Sequence, residues 1–246
     1  MSHHLRLIKR GLANFKELTA SIPPKGAVRL TYPSPKIAKI SLDSASTRNA
    51  LSPSMMCDFA DIVSDLTAAP PNYIILTGAN NTFCSGADIG VAASSLMSSN
   101  GGVSMSELMN ATTTAIKDLS SISLAALDGA AYGGGAELAT CTDFRVVRED
   151  VRVRFVQSVM GVTTGWGGGR RLANIVGEKK ALRLLLLSET VDADSASQLG
   201  LADFVTPSNS SDYTLDLIER LRTPDELIHS LKPVVMSETS EEEISE

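Results

Sequence analysis

The chain predicts an α/β fold, because apolar segments with strand character alternate with helix-spaced ones from about Ile37 to Leu187. Two glycine-bearing polar loops, at 85–88 and 133–135, each follow an apolar strand-like run. Open α/β sheets bind ligands beyond the carboxyl ends of their strands, which is where both loops fall. At 246 residues and 43% hydrophobic content, the chain suits one globular domain with a sizeable core.

The elements follow in order. The first sixteen residues carry Arg6, Lys9, Arg10 and Lys16 with no acid before Glu17, and two readings stand: a weak mitochondrial presequence or a solvated helix. Ile37 to Leu42 alternates like a half-buried strand. Ser52-Pro53 supplies an N-cap and a proline at the first helical position, and Met55 or Met56, Phe59, Ile62 or Val63, and Leu66 continue at helical spacing. Pro70-Pro71 stops that helix; Tyr73 to Thr77 is a buried strand ended by Gly78. Residues 94–104, rich in serine and glycine, read as a mobile loop. A helix through Leu108, Ala115, Ile116 and Leu119 leads to a strand from Ile122 to Leu127. Beyond the glycines, Phe144 to Val147 and Val153 to Val156 read as strands, and helices follow around Arg171 to Ile175 and Lys179 to Leu187. The expected organisation is an N-terminal extension over 1–26, a core over 27–207, and a C-terminal helical segment ending in an acidic tail over 208–246.

Composition excludes several function classes. A net charge of −6 without a basic stripe argues against a nucleic-acid surface. No apolar run approaches a membrane span. Cys57, Cys84 and Cys141 are too scattered for a disulfide framework or a zinc site, so a reducing compartment is expected, the cytoplasm ahead of the mitochondrion. With only His3, His4 and His229 and no G-x-S-x-G, neither a histidine metal centre nor a serine triad is indicated.

The chemistry concentrates in Gly133-Gly134-Gly135-Ala136-Glu137. Glycine costs a helix up to about 1 kcal/mol relative to alanine, so three in a row at a helix start ask for another purpose. Bare backbone brings N–H donors close to a ligand, and a helix N-terminus suits a developing oxyanion. Glu137, one turn in, sits where a proton could be given or taken. Gly129-x-x-x-Gly133-x-Gly135 also fits a dinucleotide-binding variant, with Asp150 in place. That rival needs Tyr-x-x-x-Lys on a helical face downstream; the one match, Tyr32 to Lys36, lies upstream and is interrupted by Pro33 and Pro35.

Three segments in order resemble the crotonase (enoyl-CoA hydratase/isomerase) superfamily: Asn81-Thr82-Phe83-Cys84-Ser85-Gly86-Ala87-Asp88-Ile89, Gly133 to Leu138, and the glycine-rich turn Gly161 to Leu172. The likeness runs from about Ile37 to Val205. It implies a crotonase-like ββα spiral core, here with a short C-terminal helical region, since the helices that usually cover the acyl pocket look missing after Pro233. It implies no metal and no cofactor beyond the coenzyme A of the thioester substrate, and a homotrimer or hexamer. By the same resemblance, the Ser85 and Gly134 amides form the oxyanion hole, Glu137 is the first catalytic acid, and Ala50 with Ser85, Gly86, Ala87 and Asp88 holds the CoA arm.

The position of the family's second acid falls on Gln157. Hydration is similar to a two-carboxylate task, which an amide weakens. A malonyl thioester carries its own carboxylate, and a second glutamate about 4 Å away would repel it by roughly 1–4 kcal/mol at effective dielectrics of 80 to 20. Together with Val153 to Gln157 and Gly165 to Gly168, this looks most like a branch that decarboxylates short branched malonyl-CoA such as ethylmalonyl-CoA or methylmalonyl-CoA. A hydratase or isomerase using Glu137 alone, and a non-catalytic acyl-CoA binder, are the alternatives. Trp166 is read equally as pocket wall and as core, Asp88 as a loop-positioning group, and Asp143 with Arg145 as a structural ion pair.

Overall fold

The computed structural model describes residues 3–88, 90 and 99–236. Its elements begin α1 (His3–Thr19), β1 (Ala27–Ser34), β2 (Ile37–Asp43), α2 (Pro53–Ala68), β3 (Tyr73–Gly78), α3 (Ser99–Asp118) and β4 (Ile122–Leu127). They continue β5 (Ala131–Tyr132), α4 (Gly134–Ala139), β6 (Phe144–Arg148), β7 (Arg152–Arg154), α5 (Gly168–Val176) and α6 (Glu178–Leu187). The last are β8 (Thr190–Asp192), α7 (Ala193–Leu199), β9 (Phe204–Thr206), α8 (Ser210–Arg220) and α9 (Asp225–Met236).

Six strands pair in the order β1-β2-β3-β4-β6-β9, and β5-β7-β8 form a second, small sheet. β1 is antiparallel to β2, and the remaining neighbours of the large sheet run parallel. Side chains alternate between the two faces. Ala38, Ile40, Leu42, Ile74, Leu76, Ala125, Leu127 and Val147 share a core with α1, α2 and α3. Ile37, Tyr73, Ile75, Leu124, Ala126 and Val146 face the other way, onto Ile218 of α8 and Ile228 of α9. Both faces are covered, which is why the strands read as nearly continuous apolar runs.

Three expectations change. The basic N-terminal stretch is not a helix solvated all round: α1 buries Ile8, Leu12 and Phe15. Gly11 lets α3 approach so closely that a Cβ there would lie 3.3 Å from the Leu108 Cα. Of residues 94–104, expected as a loop, 94–98 lie outside the described residues while Ser99 onward is helical. Burial of Ser104, Leu108 and Met109 outweighs the cost of the Gly101-Gly102 pair. Asp143 and Arg145 are not partners through their side chains. Arg145 pairs with Asp203 at 2.5 Å, and Asp143 accepts from Lys117 at 3.2 Å and Lys232 at 2.8 Å.

That last pair fastens α9 to the sheet. Lys232 Nζ also donates to the Ser121 carbonyl, and Asp143 Oδ2 accepts from the Ser123 amide and hydroxyl. The helix runs on through Pro233, past the expected stop; the acidic tail over 237–246 lies outside the described residues. The strand expected over Val153 to Val156 ends at Arg154, because β8 partners it only across Arg152–Arg154.

Phe15, fully buried, tests whether α1 is integral to the core. Phe15→Ala should lower unfolding free energy by about 3–5 kcal/mol, read as a fall in urea midpoint. A change below about 1 kcal/mol would show that α1 is an appendage.

Candidate active site

Two strand ends deliver the site. After β3 the chain turns so tightly that a Cβ on Gly78 would meet the Thr82 carbonyl oxygen at 1.9 Å. Asn49, fully buried, braces this turn: its amide donates to the Ala79 and Thr82 carbonyls at 2.8 Å each, and its oxygen accepts from the Ser44 amide at 2.9 Å. The loop then runs beside residues 48–51, where the Leu51 amide donates to Gly86 O at 2.7 Å and the Asp88 amide to Leu51 O at 2.9 Å. These bonds, with Leu51 bridged to Ala87, set the 85–88 loop beside the segment that holds Ala50. Asp88 positions its loop, accepting from the Gly90 amide at 3.1 Å and from Lys25 Nζ at 2.7 Å.

After β4 comes the glycine triplet. Gly133 has φ of +54°, and its amide donates to Arg154 O at 2.9 Å. The Gly134 N–H heads α4, where no preceding turn supplies an acceptor. A Cβ on Gly135 would sit 2.0 Å from the Cys84 carbonyl oxygen, and one on Gly86 3.1 Å from the Gly134 nitrogen. Bare backbone is therefore what lets the two loops meet.

The Ser85 amide does not stand free beside Gly134. It donates to the Arg48 carbonyl at 3.2 Å, and the Ser85 hydroxyl donates to Thr47 O at 2.8 Å. Arg48 and Asn49 both lie in the left-handed region, with φ of 54° and 56°, a strained pair that brings the Arg48 carbonyl to Ser85. The expected two-amide oxyanion hole has one amide engaged by the protein itself.

Glu137 is 2% exposed, and its carboxylate is ringed by donors. Oε2 accepts from the amides of Trp166 at 2.8 Å and Gly168 at 2.9 Å. Oε1 accepts from Gln157 Nε2 at 2.8 Å and from the Gly165 amide at 3.4 Å. Gly168 is the first residue of α5, so the carboxylate also occupies the positive end of that helix. Even so, burial pushes the Glu137 carboxyl above its ordinary value, outweighing the opposing amide donors, Gln157 and Arg171.

Gln157, 7% exposed, spends its amide nitrogen on Glu137, while its buried oxygen has no partner. Trp166 is buried with its ring against Gly134, where a Cβ would approach within 2.5 Å of the ring. It packs in the core, against the glycine that heads α4. Arg171 was not singled out from sequence. Its guanidinium donates to the carbonyls of Trp166 at 2.6 Å and Glu137 at 3.3 Å, and to the hydroxyls of Thr113 at 3.2 Å and Thr140 at 3.1 Å. Nothing in an Arg170-Arg171 doublet says which member turns inward. Burial pushes Cys84 up to about 12 and Cys57 and Cys141 to about 11, so none of the three supplies a thiolate near neutral pH. Among the described residues, no cluster of His, Cys, Asp and Glu could hold a metal ion.

The enoyl-CoA hydratase/isomerase family profile matches residues 34–246. The chain belongs to that family. It is 34% identical over 235 residues to ethylmalonyl-CoA decarboxylase of Xenopus laevis, covering 94% of this chain and 76% of the relative. To the Rattus norvegicus protein of the same name it is 35% identical, covering 87% and 73%. The crystal structure of enoyl-CoA hydratase from Bacillus anthracis superposes with a TM-score of 0.79 at 26% identity, covering 85% of this chain and 81% of that one. This family member is therefore a crotonase-fold enzyme of acyl-CoA chemistry, and the dinucleotide-binding reading of the glycines falls.

A Cβ on Gly168 would meet Glu137 Cγ at 2.3 Å. Gly168→Ala should displace the carboxylate and the turn that carries Trp166, the chain's single tryptophan. A shifted tryptophan emission maximum and a stability loss of about 1–3 kcal/mol are expected; an unchanged spectrum would show the turn to be slack.

Proposed function

We propose that this protein decarboxylates a short branched malonyl-CoA, ethylmalonyl-CoA or methylmalonyl-CoA, through a thioester enolate. The observation that carries the reading is Gln157: among the described residues, the side chain hydrogen-bonded to the Glu137 carboxylate is a neutral amide and not a second carboxylate. The names of the relatives at 34% and 35% identity support the same reaction.

The steps need no base. The thioester carbonyl docks on the Gly134 amide and on the Ser85 amide, whose long bond to Arg48 it shares or replaces. The electron pair of the bond to the carboxylate moves into the enolate, and CO2 departs. Each N–H donor aimed at the enolate oxygen is worth about 3–4 kcal/mol. Cα then takes one proton, from a protonated Glu137. That role suits a carboxyl whose pKa is raised by burial, because the raised value keeps the proton on at higher pH. Coenzyme A enters with the substrate, and no other cofactor has a part.

Purified protein incubated with ethylmalonyl-CoA, methylmalonyl-CoA or crotonyl-CoA, followed by mass spectrometry, tests this. Loss of CO2 without hydration of crotonyl-CoA is expected; hydration of crotonyl-CoA alone would establish the hydratase instead. Glu137→Gln should lower decarboxylation about 10²- to 10⁴-fold. In the wild type, kcat/KM should fall as pH rises through the raised Glu137 pKa, and this alkaline limb should vanish in the variant. Gln157→Glu should cut kcat/KM for malonyl thioesters about tenfold or more, through repulsion of the substrate carboxylate.

A further inference from the structure

The Gln157 amide is half satisfied. Its nitrogen donates to Glu137 Oε1, and its oxygen is buried with nothing to accept from. A buried acceptor left without a donor costs free energy that a rearrangement can recover. An amide has a donor end and an acceptor end, and which end faces Glu137 depends on whether that carboxyl bears a proton. Ionised, Glu137 can only accept, so Nε2 must face it. Protonated at Oε1, it becomes a donor and the amide oxygen can face it instead.

We propose, resting on the decarboxylase reading above, that Gln157 couples the proton on Glu137 to recognition of the substrate's carboxylate. In the ligand-free state the amide nitrogen is held by ionised Glu137. When a malonyl thioester arrives, the amide turns: Nε2 donates to the substrate carboxylate, and Oε1 accepts from the newly protonated Glu137 Oε1–H. Every polar atom of the amide is then used, and two anions never face each other across the site. A glutamate at 157 lacks the donor end, and an apolar residue lacks both. Gln157 is on this view a substrate-binding residue, chosen for its two unlike ends.

The surroundings leave Glu137 free to change charge. The charged group facing it is Arg171 of α5, which reaches the Glu137 carbonyl and not the carboxylate. The turn at 165–168 contributes only backbone amides, and the segment before the 158–160 turn contributes only Gln157. The Trp166 and Gly168 amides bind Oε2, so a proton on Oε1 leaves both bonds intact. The proton balance also closes. Replacing a carboxylate on Cα by hydrogen, with release of CO2, consumes one proton; the proton taken up by Glu137 on binding is the one delivered to Cα. Glu137 ends ionised, and the Gln157 nitrogen returns to it.

The test uses an inert probe: the thioether of CoA in which CH2 replaces the thioester carbonyl of ethylmalonyl-CoA. It keeps the carboxylate, forms no enolate, and loses no CO2. Titration calorimetry of the full chain in buffers of different ionisation enthalpy, from pH 5.5 to 9, counts protons taken up on binding. We expect uptake that rises to about one proton per site within this range for the carboxylate thioether and none for butyl-CoA thioether. An infrared difference band of a protonated carboxyl should appear with the first probe only. Glu137→Gln, if it still binds the butyl thioether, should bind the carboxylate probe with no uptake. No uptake at any pH, no binding of the carboxylate probe, absence of the infrared band, or uptake surviving in Glu137→Gln would each overturn the coupling. CO2 release from ethylmalonyl-CoA together with no proton uptake on binding of the carboxylate thioether defeats the coupling alone, whereas absence of any turnover of malonyl thioesters defeats the decarboxylase reading itself.

Discussion

The buried carboxylate of Glu137 is the constraint around which the site is organised. A charge-capable group that is 2% exposed must be matched by donors, and four come to it from two segments. The amides of Gly165, Trp166 and Gly168 come from the turn that opens α5, and Nε2 comes from Gln157 behind β7. The carboxylate thereby fixes how α4, α5 and the β7 end lie together. Arg171 closes the arrangement by binding the carbonyls of Glu137 and Trp166 at once. The acid to which the proposed reaction assigns the proton also ties three segments, so the proposed chemistry and local stability draw on one set of hydrogen bonds.

Glycine makes this closeness possible. The chain spends backbone freedom at Gly86, Gly135 and Gly168 to let main chain meet main chain or the Glu137 stem, where any Cβ would force a shift. On the opposite side Arg48 and Asn49 take left-handed conformations that put a carbonyl on the Ser85 amide. Of the two amides proposed to hold the thioester oxygen, that of Ser85 is engaged by the Arg48 carbonyl at 3.2 Å, at the weak end of the range.

Most of the fold was legible from the residues. Strands at Ile37, Tyr73, Ile122 and Phe144 have short, β-branched or aliphatic runs bounded by glycine, proline or polar residues. The helix from Pro53 has its cap written in Ser52-Pro53, and the Ser52 hydroxyl accepts from the Met55 amide as that cap requires. The misreadings came where local composition and tertiary packing disagree. Basic residues around Ile8, Leu12 and Phe15 looked like a solvated surface until α2 and α3 were there to bury the apolar stripe. Serines and glycines near residue 100 looked mobile until α1 and the glycine turn packed on the helix that contains them. Asp143 and Arg145 are close in sequence, yet they lie on opposite ends of separate buried pairs, because Lys232 and Asp203 arrive from distant segments.

By itself, the sequence determined the α/β order, the two glycine loops at strand ends, the acid at 137 and the amide at 157. These are properties of residue type and spacing, and spacing dictates which groups share a loop or a helical turn. The tertiary structure alone decided how those groups are charged and partnered. It placed three amides and one glutamine nitrogen on a single carboxylate, raised its pKa by burial, engaged the Ser85 amide with Arg48, and left one glutamine oxygen unpaired. Hydrogen-bond partners separated by twenty to thirty positions, and the desolvation that makes them matter, exist only once the chain has closed around them.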